Sequence, residues 1–278
     1  MRKIATIGIS LLFIVSLYLA HSMTSSSGPA AIARDKGAQT YTGKVYVAGM
    51  GGHFTEADVV IDPSAEAPIV VKELGRYEVG SKDSHPIHDI RIDSNDNTKM
   101  FWSTYKTDAK AQGKILHAGI TDLKSAKILK DEKVQIPDKA QWTGAMYCAS
   151  GQTKDSYLPV TMSNEGYIDV FEKNTLKLKH RVYLDSIGFK NNYQFFHGTN
   201  SPDMKAFVIT ANMTKEWSAP DAPAERLGQI EIVSLDLAAL EKGELKVLGR
   251  STITGSPQKT ITFRQSFTPD GKYLLQSG

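Results

Sequence analysis

Short apolar stretches, with turn residues between them, make up the chain from Tyr41 onward. One stretch shows the pattern best. It runs from His197 to Asn212 as a short strand, the turn Ser-Pro-Asp-Met-Lys, and a second strand of alternating apolar residues. Pro presets the backbone angle of such a turn, and Asp bonds to its own backbone there. A second copy runs from Arg264 to Gly278, with the turn Thr-Pro-Asp-Gly-Lys. A recurring hairpin indicates a repeat architecture.

Four types of strand follow one another in a fixed order. The first type contains His88, the segment 144–150, His197 or Arg264, and the second type recurs near positions 44, 100, 157, 206 and 273. The third type opens on Gly, and the fourth is charged and amphipathic. This period of roughly 50–65 residues is close to that of a four-stranded propeller blade. We therefore predict an all-β chain, a β-propeller of four-stranded antiparallel blades, with a β-sandwich as the alternative. One short helix is expected over 235–242.

The repeats begin with a second-type strand at Gly43 and stop after the second-type strand near the end of the chain. That gives about four to five blades. Closed rings leave no exposed sheet edge, and propellers are usually closed. We therefore expect the propeller domain, residues 41–278, to be an incomplete ring that is truncated at its C-terminus.

The N-terminus has the pattern of an export signal. Arg2 and Lys3 precede an uncharged apolar run over 4–20, and the small residues Ala20 and Ser22 suit cleavage after position 22. We predict a signal peptide over 1–22, with an uncleaved membrane anchor as the alternative because the run is long. Residues 23–40 are mostly small and polar, as in a flexible linker. The expected location is periplasmic or extracellular.

Composition excludes several classes of protein. The chain has 278 residues, 41% of them hydrophobic, which is enough to bury a sizeable core. Its 33 basic and 30 acidic residues are scattered, whereas a nucleic-acid-binding surface needs clustered Lys and Arg. The single cysteine, Cys148, excludes an internal disulfide and the Cys-x-x-Cys-His site of a covalent c-type haem.

The two turns, Ser201–Lys205 and Thr268–Lys272, are each followed by an apolar strand. They resemble the repeated Ser-Pro-Asp-Gly-Lys turn of a superfamily of exported propellers, which includes the YVTN-repeat surface proteins and the cytochrome d1-type haem domain. The resemblance covers residues 41–278 and departs from the pattern at 93–99 and 150–155, where Pro is missing. It implies a propeller, an exported location and a ligand region at the hub. It does not identify the ligand.

Candidate ligand residues lie in the first strand of each blade, which lines the central channel of a propeller. We predict that His88, His197 and Arg264 contact a cofactor or ligand there. Neutral imidazole is a common metal ligand and an axial ligand of haem. A guanidinium pairs with carboxylate or phosphate. A non-covalent haem or a transition metal is therefore possible.

Further histidines suggest a metal site. His85 stands three residues before His88, and His53 lies in a loop of the first copy, so these three are the candidate metal ligands. His117 and His180 fall in outer strand types, and we predict that both are surface residues. Cys148 is more often a small buried hydrophobic residue than a ligand.

No catalytic motif is present. The sequence lacks Gly-x-Ser-x-Gly, His-Glu-x-x-His and a phosphate loop. We therefore favour an exported module that binds a small molecule or a protein partner at the propeller face, with membrane contact only through an uncleaved N-terminus. The alternative is a redox accessory protein or oxidoreductase that holds haem or metal through channel histidines. A calcium-dependent lactonase-like propeller would need more hub carboxylates and amides than Asn200 supplies.

Overall fold

The computed structural model describes residues 39–49, 51–104, 106–140, 146–162, 166–218 and 224–278. The expected signal peptide over 1–22 and nearly all of the expected linker lie outside these residues. Within the described ranges, no helix has both the length and the apolar character needed to cross a membrane.

Antiparallel sheets follow one another in chain order. The first sheet consists of β1 (Tyr41–Gly49), β2 (His53–Ile61) and β3 (Ile69–Glu78). The second sheet has the order β4-β5-β6-β7-β8, with β4 (Gly80–Ser81), β5 (His85–Ile92), β6 (Lys99–Thr104), β7 (Ile115–Asp122) and β8 (Ile128–Gln135).

The next two sheets have four strands each. The third contains β9 (Met146–Gln152), β10 (Ser156–Met162), β11 (Tyr167–Glu172) and β12 (Leu178–Tyr183). The fourth contains β13 (Tyr193–Asn200), β14 (Ala206–Thr214), β15 (Arg226–Asp236) and β16 (Val247–Thr254). The last sheet pairs β17 (Arg264–Phe267) with β18 (Leu274–Ser277). The predicted order of strand types is confirmed.

Among the described residues, the segments between strands are helical in four places. Single 3-10 turns lie at Ala109–Ala111, Asp138–Ala140 and Leu184–Ile187, and the α-helix α1 spans Leu237–Glu241. The expected helix over 235–242 is thus present but begins later. Asp236 ends β15, and its side chain accepts a hydrogen bond from the backbone N–H of Ala239, which caps the helix.

The hydrophobic core lies between successive sheets. Phe54 of the first sheet packs with Trp102 of the second. Phe101 of the second sheet stacks on Tyr157 of the third, with ring centroids 4.8 Å apart. Phe207 of the fourth sheet joins the buried cluster of the third. Successive sheets therefore bury apolar side chains between them, as propeller blades do.

The inner strands complete this architecture. Strand β9 lies beside β5 on one side and β13 on the other, and β17 lies beside β13. Side chains bridge these strands: the amide of Asn200 donates to the carbonyl of Gln152 and accepts from its N–H. Successive four-stranded sheets whose first strands adjoin form a β-propeller. The predicted fold class is confirmed, and five blades, some incomplete, occur among the described residues.

The first sheet packs one of its faces against the second sheet. On its other face Val45, Val47 and Val71 are exposed. Strands β1, β2 and β3 bring these three side chains to the same face, because Val45 is paired with Ala57 and Val71 with Val59.

A bulge recurs in the inner strands where they pair with the second strands. One extra residue is inserted at His88 in β5, at Cys148 in β9 and at position 196 in β13. A bulge bends its strand and changes the direction of nearby side chains. His88 stands in one bulge, and His197 directly follows another.

Candidate ligand and metal sites

Three inner strands supply the predicted hub residues: His88 is on β5, His197 on β13 and Arg264 on β17. The charges of Arg264 and of Arg91, also on β5, act on both imidazoles, and His88 acts on His197. The structure therefore brings the three predicted residues into one region, which we call the hub cluster. Arg91 is its fourth member.

His197 is the most buried member of the hub cluster, with 9% of its surface exposed. Its Nδ1 has no hydrogen-bond partner among the described residues. Burial holds the pKa of His197 well below its usual value, and the charges of Arg91 and Arg264 lower it further. Burial also lowers the pKa of His88, although the carboxylate of Asp89 opposes this. Both imidazoles are therefore neutral at physiological pH.

Hydrogen bonds anchor Arg91 in the hub cluster. Its Nη1 donates to Oδ1 of Asp89 at 2.6 Å, and its Nε donates to the carbonyl of Ser150 at 3.2 Å. The hydroxyl of Ser150 in turn donates to Oδ2 of Asp89 at 2.5 Å. Arg264, by contrast, is exposed. The hub cluster thus places one anchored and one accessible guanidinium near two neutral imidazoles.

A second cluster lies in the second sheet and is formed by His85, His117 and Asp131. Nδ1 of His117 is 2.6 Å from Oδ1 of Asp131, and Nε2 of His85 is 3.4 Å from Oδ2. The two imidazole rings stack with centroids 3.9 Å apart and planes 6° from parallel. Among the described residues, this is the one group whose His and carboxylate atoms converge as a metal would require. We call it the His85–His117–Asp131 cluster.

Strand positions explain how this cluster forms. His85 opens β5 and His117 lies in β7, with β6 between them. Strand β6 ends at Thr104, whose hydroxyl accepts a hydrogen bond from the backbone N–H of His117. Past this end, the ring of His85 reaches the ring of His117. Asp131 of β8 is paired with Gly119, two residues from His117, and so lies on the same face of the sheet.

The prediction that His117 lies on the surface is wrong: only 1% of it is exposed. Strand β7 is a central strand, and both of its faces are covered. The apolar residues on either side of His117 were the signal for this burial. His180 is exposed, as predicted.

The predicted metal set is divided by the structure. His85 lies with His117 and Asp131, whereas His88 and His53 are outside that group. His53 opens β2, is partly buried, and has its ring next to Gly49. Cys148 lies on β9, but its side chain is outside the described part of the chain, as are residues 142–145.

No protein-family model matches the chain, and no curated protein matches it. The chain is similar to several solved structures. One is the Dos1 propeller, with 14% sequence identity and a TM-score of 0.46; the match covers 84% of this chain and 51% of the Dos1 chain. The complex of KlAtg21 with the coiled-coil of AgAtg16 matches at 12% identity and a TM-score of 0.44, over 80% of this chain and 60% of that one.

A third similar structure is the dihydro-haem d1 dehydrogenase NirN, with 15% identity and a TM-score of 0.39, over 82% of this chain and 40% of that one. The chain thus spans between 40% and 60% of the length of these three proteins. Its own sheet order, adjoining inner strands and inter-sheet cores identify it as a β-propeller.

Proposed function

We propose that this chain is an exported binding module whose ligand region is the hub cluster, and that its ligand carries a carboxylate. The observation that carries the proposal is the imidazole of His197. It is nine-tenths buried, its Nδ1 has no hydrogen-bond partner among the described residues, and two guanidinium charges act on it. A buried polar atom without a partner is costly in a protein, which favours a ligand that supplies one.

The charges of the hub cluster favour an anionic ligand. Arg91 is already paired with Asp89, so Arg264 is the member that is accessible to a ligand. A guanidinium binds a carboxylate through two parallel hydrogen bonds, and such charge-assisted bonds are the strong ones. Neutral His88 and His197 would add hydrogen bonds without a competing charge. A small carboxylate or an acidic side chain of a protein partner offers this chemistry.

The second candidate is a redox accessory protein that holds a haem or a metal through the same histidines. One observation favours it: the pKa values of His88 and His197 are both lowered. Metals and haem iron bind the neutral imidazole, so a lowered pKa removes competition from protons.

Calorimetric titration of the purified chain with mono- and dicarboxylates tests the first candidate. We expect Arg264→Ala to weaken binding by about 10- to 100-fold, since a hydrogen bond to a charged group contributes about 1.5–3 kcal/mol. The exposed His180→Gln should bind like the wild type. Equal affinity in Arg264→Ala would contradict the proposal. A haem absorption band that requires His197 would support the second candidate instead.

The proposal that the protein is exported is supported by Arg2, Lys3 and the apolar run that follows them. Cell fractionation and N-terminal sequencing of the mature protein test it. We expect the protein outside the cytoplasm with a new N-terminus near position 23. Recovery from the cytoplasm with an intact N-terminus would contradict this.

A further inference from the structure

We propose that the His85–His117–Asp131 cluster binds a divalent transition-metal ion. Nε2 of His85 and Nδ1 of His117 both face the carboxylate of Asp131, at 3.4 Å and 2.6 Å, and one ligand atom from each of the three residues lies within 4.8 Å of the other two. Ligands around a tetrahedral zinc ion at 2.0–2.1 Å are roughly 3.4 Å apart. Small side-chain rotations would therefore complete the site. This site is separate from the hub cluster and does not depend on the proposed function.

The other nitrogen of each imidazole already has a partner. Nε2 of His117 is 3.1 Å from Oδ2 of the buried Asp108, and Nδ1 of His85 is 2.8 Å from the hydroxyl of Ser84. A proton on each of these nitrogens leaves the opposite nitrogen with its lone pair directed toward Asp131. Protein metal sites commonly orient their histidine ligands in this way, through a carboxylate or another acceptor behind the ring.

The kind of metal follows from the ligands. Two imidazoles and one carboxylate suit zinc, cobalt, nickel or ferrous iron, whereas calcium and magnesium prefer oxygen ligands only. Three ligands from one chain leave a coordination position open. That position would face solvent, because about a third of the Asp131 side chain, 31%, is exposed. The site therefore suits a metal that also takes water or a small exchangeable ligand.

The strands also favour a preformed site. His85, His117 and Asp131 belong to β5, β7 and β8 of a single sheet, so hydrogen-bonded strands hold them in place. The competing explanation is a structural ion-pair network in which His117 bridges Asp108 and Asp131. The two explanations differ in what added metal does to the protein.

Calorimetric titration of the metal-free full chain with Zn²⁺ tests the proposal, and Co²⁺ serves as a visible-absorption probe of the same site. We expect one equivalent to bind to the wild type and to raise its melting temperature. His85→Gln and Asp131→Asn should each weaken binding by at least about tenfold. Asp108→Asn should weaken it by about 10- to 100-fold, because Asp108 orients His117.

Matched controls separate this site from the other histidines. His53→Gln, His88→Gln and His180→Gln should each bind Zn²⁺ with wild-type affinity. Asp131→Asn is nearly isosteric and partly exposed, and circular dichroism will report whether it folds. The proposal is overturned if the wild type binds no Zn²⁺, if folded Asp131→Asn binds it equally well, or if binding requires His88 rather than His85.

Discussion

Arg181 binds both carboxylate oxygens of the fully buried Asp169, with Nε 2.7 Å from Oδ1 and Nη2 2.9 Å from Oδ2. The hydroxyl of Tyr147 donates to the same carboxylate at 2.7 Å, and the guanidinium lies over the ring of Tyr167 at 4.4 Å from its centroid. This network joins β9, β11 and β12 within the third sheet.

Removing the carboxylate should therefore destabilise the protein strongly. Asp169→Ala leaves the partly buried Arg181 and the hydroxyl of Tyr147 without their partner, which costs about 3–5 kcal/mol of unfolding free energy. Urea denaturation measures this loss. The control is Glu225→Ala, which removes an exposed ion pair with Lys215 and should cost no more than about 1 kcal/mol. Similar losses in the two variants would contradict the role assigned to Asp169.

Gly119 is required by the packing of Trp102. A Cβ at position 119 would lie 1.9 Å from Cζ2 of the Trp102 ring, which is fully buried. Gly119→Ala should therefore lower the unfolding free energy by about 1–3 kcal/mol or more, through overpacking. Gly249→Ala is the control, because a Cβ there meets nothing within 4 Å. Thermal unfolding that affects both variants equally would show that the ring is free to move aside.

The lowered pKa of His197 makes stability depend on pH. Below the usual histidine pKa of about 6.5, the unfolded chain takes up a proton that the folded His197 does not. Its contribution to stability is therefore complete above that pH and is lost as the pH falls. The slope from this group is at most about 1.4 kcal/mol per pH unit.

Denaturation at several pH values tests this dependence. Burial keeps the pKa of His197 low, and the charges that face it, on Arg91, Arg264 and protonated His88, lower it further. His197→Gln should have a shallower loss of stability between about pH 6.5 and 5 than the wild type. His180→Gln, which changes an exposed histidine, should keep the wild-type slope. An unchanged slope in His197→Gln would mean that the folded His197 titrates normally.

Asn212 joins the fourth and fifth blades. Its amide donates to the carbonyl of Thr262 at 3.1 Å and accepts from the N–H of Thr262 at 2.9 Å. Asn212→Ala leaves both backbone groups without this partner, at a cost of about 1–3 kcal/mol each. In this variant the backbone amide of Thr262 should exchange its hydrogen faster, by more than the loss of global stability accounts for. The control is Asn97→Ala, in an exposed turn, which should change neither the stability nor the exchange rate. If the Thr262 amide of Asn212→Ala is as well protected as in the wild type, the role assigned to Asn212 is contradicted.

Much of the fold could be predicted from sequence because its signals are local. In the turns at Asp203 and Asp270, each carboxylate accepts from the backbone N–H two residues later, at Lys205 and Lys272 respectively. Such turns depend only on residues that are close together in the chain. The strands between them can therefore be placed in order from the sequence. The blade period and the inner position of His88, His197 and Arg264 followed from them.

The His85–His117–Asp131 cluster could not be found in this way. His85, His117 and Asp131 come from three strands, and their meeting depends on sheet register and on where β6 ends. Asp131 stands among alternating charges that are typical of a solvated edge strand, so its partners were not visible in the sequence. Arg91 was missed for the same reason, because its anchor Ser150 belongs to the next blade.

The repeat, the turns and the strand order could be predicted from the sequence, because each depends on residues close together in the chain. Which polar side chains meet became clear from the packed sheets alone. Many of these contacts join residues far apart in the chain: His117 and Asp131 are 14 positions apart, and Asp89 and Ser150 are 61 positions apart. Register, bulges and blade packing set such distances, and they are properties of the assembled sheets.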